Sequence, residues 1–186
     1  YKRQFYGSTL NTRQYATKGY LEKLIAQVFT GRERFEPGNP QEGYSPSPQE
    51  RQSWLQISYM KEAYHTMGPK FTLGWMAEAL YSSKNFSENY TATMMQAGEF
   101  APTPHSKLMY NEAFRANQYV AAGIKPIYVL NDMFQFRTEF YGFTPIFPIK
   151  KNALNKAYYG KAFSRFEYMG EVSVICLLYT SDAADE

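Results

Sequence analysis

Hydrophobic and polar residues alternate with a period of two along much of this chain, which is the pattern of β-strands with two unlike faces. In "KFTLGWMAEALYS" one parity reads Phe71, Leu73, Trp75, Ala77, Ala79, Tyr81, and the other reads Thr72, Gly74, Met76, Glu78, Leu80, Ser82. "MFQFRTEFYGF" sets Phe134, Phe136, Thr138, Phe140 and Gly142 against Gln135, Arg137, Glu139 and Tyr141. "RFEYMGEVSVI" repeats the design, with Phe166, Tyr168, Gly170, Val172 and Val174 opposed to Glu167, Met169, Glu171 and Ser173. Each carries an apolar ladder with aromatics on one face and charges on the other.

Other segments alternate less cleanly. "LEKLIAQVF" places Leu24, Ala26 and Val28 opposite Lys23 and Gln27, although Ile25 and Phe29 intrude on the polar side. "SWLQISYMKEAYH" sets Leu55, Ile57 and Tyr59 against Gln56 and Ser58 and loses phase near Lys61. "YVAAGIKPIYVL" is apolar on both sides, and its Pro126 suits an edge, a bulge or a strand end. One more strand is expected between Phe5 and Tyr15. The spacing thus predicts strands over 20–35, 54–65, 71–81, 119–130, 134–143 and from 166 onward. The connections between them alternate in length: a Pro/Gly/Ser-rich loop "EPGNPQEGYSPSPQER", the short "TMGPK", a long stretch from Ser82 to Ala113, the tight turn Asn131-Asp132, then the long "TPIFPIKKNALNKAYYGK".

Long loops alternating with tight turns are the stringing of an outer-membrane barrel. No stretch approaches the roughly 18 to 20 apolar residues of a membrane helix, so a spanning reading requires strands, the other structure that satisfies its backbone in lipid. Aromatics are abundant, with 17 Tyr and 14 Phe. Membrane strands turn small and aliphatic residues to lipid and gather Tyr, Trp and Phe at the two interfaces. The expected fold is therefore all-β: an antiparallel up-and-down meander of about seven strands, part of a transmembrane barrel, for which about eight is the minimum. Phe71, Trp75, Tyr81, Phe134, Phe140, Phe166 and Tyr168 are the candidates to face lipid, and Gln135, Arg137, Glu139, Glu167 and Glu171 to face the lumen. On alternation alone a soluble β-sandwich or barrel, or a soluble β-rich binding protein, remains open, with the lumen parity then forming the core and the aromatic parity partly facing solvent.

The blocks "FAPTPHSK", "FRANQY", "EFYGF" and "FEYMGE", and more faintly "GSTLNTRQYATKG" near the start, resemble the C-terminal barrel of the patatin-like phospholipases of Bacteroidetes-type bacteria. That resemblance implies a barrel of the bacterial surface antigen type in the bacterial outer membrane. It also implies an upstream patatin domain, joined through a small linker domain, that hydrolyses lipid acyl esters. The family's Ser–Asp dyad, with Ser in a G-x-S-x-G elbow, does not carry over: the motif is absent, and Asp132 lacks the neighbouring glycine of the family's Asp motif. No catalytic, cofactor or metal residue is assigned to this chain. Outer-membrane lipids and lipopolysaccharide are the expected partners, and nucleic acid is not. An assembly factor or secretion pore with the same barrel and no hydrolase is the rival within the membrane class.

Side chains that suggest chemistry have plainer readings. His105 and Ser106 are a base and a hydroxyl, but neighbours on a loop seldom aim at each other. His65 and Glu62 would share a metal only on a helix, and the chain has two histidines in all. Lys150, Lys151, Lys156, Lys161 and Arg165 form a basic cluster for lipopolysaccharide head groups or simply a solvated loop. Arg137 and Glu139, with Glu167 and Glu171, are placed to line a pore or to pair across adjacent strands.

The end of the chain reads differently. "CLLYTSDAADE" holds two of the three Asp residues, and its codons can spell the adapter of a transposon-based sequencing library. Residues 176–186 therefore resemble translated read-through, and residues 1–175 are expected to be the barrel part of a longer chain. Without that tail the chain has no thiol, and 20 Lys and Arg face 14 acids, a formal +6. An excess of that size does not by itself indicate nucleic acid.

Overall fold

A computed structural model describes residues 1–12, 15–33, 51–131 and 133–176. Most of the Pro/Gly/Ser-rich loop, Asp132 and the tail beyond Cys176 lie outside the described residues.

The strands are β1 (Lys2–Ser8), β2 (Gly19–Arg32), β3 (Arg51–Thr66), β4 (Phe71–Ser82), β5 (Gly98–Glu99), β6 (Arg115–Ala116), β7 (Gln118–Val129), β8 (Phe134–Pro145), β9 (Ile149–Lys151), β10 (Ala157–Tyr159) and β11 (Glu167–Cys176). One short helix, α1 (Tyr90–Gln96), lies between β4 and β5. Seven strands form one antiparallel sheet in the order β1-β2-β3-β4-β7-β8-β11, so neighbours in space follow one another along the chain and β1 and β11 are its edges. The all-β meander expected from the alternation is the fold, and the edge position suggested for the Pro126 strand is not: β7 lies between β4 and β8. There Pro126 opposes Leu73 of β4, and the β8 pairing skips from Ile124 to Ile127, a local break that accommodates the missing N–H.

Turn chemistry sets the two ends of the sheet. At the β7–β8 turn the Asn131 side chain accepts the N–H groups of Met133 at 3.0 Å and Phe134 at 2.8 Å, an Asx turn that reverses the chain in four residues. The β3–β4 turn closes through Met67 N–H to Phe71 C=O at 2.9 Å. The described residues of the 9–18 segment, 9–12 and 15–18, lie at this same end around Asn11, whose side chain bonds the Thr17 hydroxyl and the Thr17 and Lys18 N–H groups at 3.0 to 3.1 Å. At the opposite end the connection of residues 83–117 folds back over the sheet. Its helix α1 starts where the Asn89 side chain accepts Ala92 N–H at 2.7 Å.

These two segments cover one face of the sheet and leave the other open. On the covered face, Met76, Leu80, Tyr119, Ala121, Tyr141 and Phe143 of the strands pack with Phe100, Phe114 and Ala116 of the 83–117 connection. Ala16 packs on Tyr64 and Ile127 beneath the 9–18 segment. Two tyrosine rings of this face lie on the glycine directly opposite on the next strand. A Cβ on Gly74 would stand 2.6 Å from Tyr64 Cε1, and one on Gly123 would stand 2.2 Å from Tyr141 Cδ1.

Candidate functional site: a charged face beneath two covering segments

The covered face carries the charges. Lys125 Nζ lies 3.1 Å from Glu62 Oε1, and Arg137 Nε lies 2.7 Å from Glu139 Oε1. Tyrosines bridge the pairs: Tyr64 donates to Glu62 and accepts from Arg137 Nη2 at 2.8 Å, while Tyr141 donates to Glu139 Oε2 at 2.6 Å. Lys125 also sits 5.9 Å from the ring centroids of both Tyr64 and Tyr141. Lys125, Gln135, Arg137 and Glu139 are all buried. Two positive and two negative side chains thus form one neutral network across β3, β7 and β8, connected by phenols that can donate and accept.

Above and below it the covering segments add polar contacts of their own. Toward the long loops, Tyr119 donates to Glu78 Oε1 at 2.5 Å, and Arg115 pairs with Glu99 at 2.6 Å while holding carbonyls at the end of α1. Phe100 fills the space between, 5.9 to 6.4 Å from the rings of Phe114, Tyr119, Tyr141 and Phe143. Toward the short turns, Arg137 Nη2 reaches the carbonyl of Ala16 at 3.4 Å. Thr12 Oγ1, Gln135 Oε1 and Arg137 Nη1 are buried there without a partner among the described residues.

The candidate lumen residues divide. Gln135, Arg137 and Glu139 stand together on the covered face. Glu167 and Glu171 share that face on β11, but neither pairs with Arg137 or Glu139. Glu171 is opposite Glu139 in register, and like charges do not pair; it turns to His105 Nδ1 at 2.9 Å. Glu167 instead takes Arg165 at 2.8 Å. Arg137 finds its acid two residues away on its own strand. Cross-strand pairing does occur on this face, between Glu62 and Lys125 one strand beyond its neighbour, and this pair escaped the sequence reading. The signal was present: Lys125 has the parity of Tyr119, Ala121 and Gly123 in a run that otherwise reads as apolar throughout.

The candidate lipid residues lie on the open face. Phe71, Tyr81, Phe134, Phe140 and Tyr168 are exposed, and Trp75 is half-buried with Nε1 donating to His65 Nε2 at 3.4 Å. Phe166 precedes β11 rather than starting it, and its ring lies over Gly142. Leu24, Val28, Leu55, Ile57, Val120, Ile124, Tyr128, Phe136, Val172 and Val174 complete an exposed apolar surface across all of β2 to β11 in the sheet.

Neither suspected pair of chemical groups is assembled. Ser106 Oγ donates to the Thr103 carbonyl at 2.9 Å while His105 faces Glu171, so base and hydroxyl diverge. These residues border a cleft of about 170 Å³ with Phe100, Met109, Asn111, Phe114 and Met169. Glu62 and His65 occupy opposite faces of β3. Of the basic cluster, Lys150, Lys151, Lys156 and Lys161 are exposed, whereas Arg165 is taken up by Glu167 and the Ala113 carbonyl at 2.6 Å. In the connection of residues 83–117, burial lowers the Lys84 amine from its usual range, partly offset by Glu33. Burial, then the bond to Glu112, raises the Tyr90 phenol to about 12.

Comparison with protein-family models, with curated proteins and with solved structures found no match to this chain.

Proposed function

We propose that this chain is part of a β-barrel that spans the bacterial outer membrane and anchors a patatin-like phospholipase there, holding an acyl hydrolase beside its phospholipid substrates. The observation that carries the membrane reading is the inversion of the sheet. Buried positions hold Lys125, Gln135, Arg137 and Glu139, while the exposed positions of the open face are mostly Leu, Ile, Val, Phe and Tyr. In water that arrangement hides the groups water solvates best and exposes an apolar surface far larger than soluble monomers carry. Hydrocarbon reverses both terms: the open face is solvated by acyl chains, and the charged face lines the interior. The phospholipase assignment rests on the sequence resemblance, and no residue of this chain is assigned a role in the hydrolysis.

Two measurements test the two parts. With Trp54→Phe leaving Trp75 as the sole tryptophan, lipids brominated at graded acyl positions should quench Trp75 with a maximum near one interface; depth-independent or absent quenching refutes the membrane reading. A long read through the locus should reveal a G-x-S-x-G domain upstream; an upstream region without a hydrolase leaves an assembly factor or pore of the same barrel type.

A further inference from the structure

Among the described residues an ion pair interrupts the apolar surface of the open face. Glu22 and Lys61 oppose each other on β2 and β3, with Lys61 Nζ 3.9 Å from Glu22 Oε2, in the midst of Leu24, Ala26, Ile57, Ala77 and Tyr59. The contact is loose, and both side chains keep open surface, at 38 and 29 % exposure. Tyr59 donates to the other Glu22 oxygen at 2.6 Å, which fixes the carboxylate in place. Beside the pair lies an open depression of about 510 Å³ bordered by Tyr20, Glu22, Lys61, Ala63, His65 and Trp75. Tyr20, Ala63 and Trp75 form one row across three strands, and Glu22, Lys61 and Ala77 form the next row on the same face. At a rise of about 3.4 Å per residue and a tilt near 45°, the charges stand about 5 Å deeper than the aromatic row.

We infer that this depression is a docking site for the headgroup of a phospholipid carrying a primary ammonium, of the phosphoethanolamine class. The inference rests on the membrane reading above. An ion pair on a lipid-facing surface lacks the water that would solvate its unused valences, so both groups gain from ligands of opposite sign. Lys61 takes the phosphate. Glu22 takes the ammonium, whose N–H groups can fill the carboxylate oxygen that the 3.9 Å contact leaves poorly satisfied. A purely anionic headgroup would satisfy Lys61 and meet Glu22 with like charge, and a quaternary ammonium offers Glu22 no donor. Tyr20 and Trp75 supply the amphipathic rings that sit at headgroup level.

The test uses the full chain with Trp54→Phe, refolded into vesicles, because Trp75 borders the depression and reports on acyl chains held beside it. Equal small fractions of brominated phosphatidylethanolamine, phosphatidylcholine or phosphatidylglycerol are compared. The ethanolamine lipid should quench in excess of the other two, as about a tenfold enrichment at the site would give from one charge-assisted hydrogen bond. Glu22→Gln and Lys61→Met should each abolish the excess while leaving general quenching intact. Equal quenching by all three lipids, or a preference for the glycerol or choline lipid, overturns the inference and leaves the membrane reading standing. No quenching by any brominated lipid overturns both.

Discussion

Removing Glu139 should cost this chain far more than removing Glu139 and Arg137 together. Arg137 and Glu139 side chains are 3 and 11 % exposed, and the guanidinium shares its nitrogens among Glu139, Tyr64 and the Ala16 carbonyl. Glu139→Leu takes away the countercharge and the acceptor for Tyr141 while leaving the guanidinium in place. Deleting one partner of such a pair costs about 3 to 5 kcal/mol, whereas replacing both with apolar groups of similar volume is near neutral. For a chain of this size, guanidinium unfolding has a slope of about 4 kcal/mol per M. The single variant should therefore lower the midpoint by about 1 M, and Arg137→Met/Glu139→Leu should restore most of it. The assay is reversible unfolding from lipid vesicles followed by tryptophan fluorescence. A single variant within about 0.5 kcal/mol of the parent, or a double variant equal to the sum of the singles, would show that water screens the pair and that the network does not hold the three strands together.

Other outcomes follow from contacts already described. Gly123→Val would drive a Cβ to 2.2 Å from Tyr141 and 2.7 Å from the Phe140 carbonyl, so it should destabilise by about 1 to 3 kcal/mol in the same assay, whereas Gly31→Ala, with nothing within 4 Å, should be nearly silent. Val120→Arg on the open face, one row deeper than Glu22 and Lys61, should lower stability in lipid by about 2 to 4 kcal/mol; a cost below about 0.5 kcal/mol would place that face in water. The Tyr90 phenol titrates at about 12, above its ordinary value of 10.0, so the protonated form is the one the fold favours. Its contribution is complete below pH 10 and disappears as pH rises through about 12; absorbance at the phenolate band should show a late-titrating tyrosine that Tyr90→Phe removes.

The strand faces were legible because alternation depends only on which side each residue takes. Leu24, Ala26 and Val28 point away from the covering segments as their spacing required, and so do Phe134, Phe136 and Phe140. The covering segments were not legible. Phe100 and Phe114 lie in stretches without a period, and the tertiary partners that bury them come from β7 and β8. Helix α1 is seven residues long, too short for a 3.6-residue pattern to emerge from "YTATMMQ". The partners of Glu62 and Glu171 were hidden for a related reason: Lys125 and His105 are distant in sequence, and a single lysine in an apolar run reads as a break rather than as a member of a face.

Alternation also has a limit that the tyrosine–glycine contacts overcome. A two-residue pattern separates odd from even positions, so it excludes a strand slip of one residue and is blind to a slip of two. Tyr141 rests on Gly123, and a slip of two would set its ring against Ala121 or Lys125; Tyr64 rests on Gly74, with Thr72 and Met76 as the alternatives. None of those four offers the flat bare backbone that the ring occupies. Each glycine therefore acts as an index mark, admitting one alignment among those that the hydrophobic pattern treats as equal, and the two marks stand at the β3–β4 and β7–β8 hairpins, whose four-residue turns they corroborate from the opposite direction.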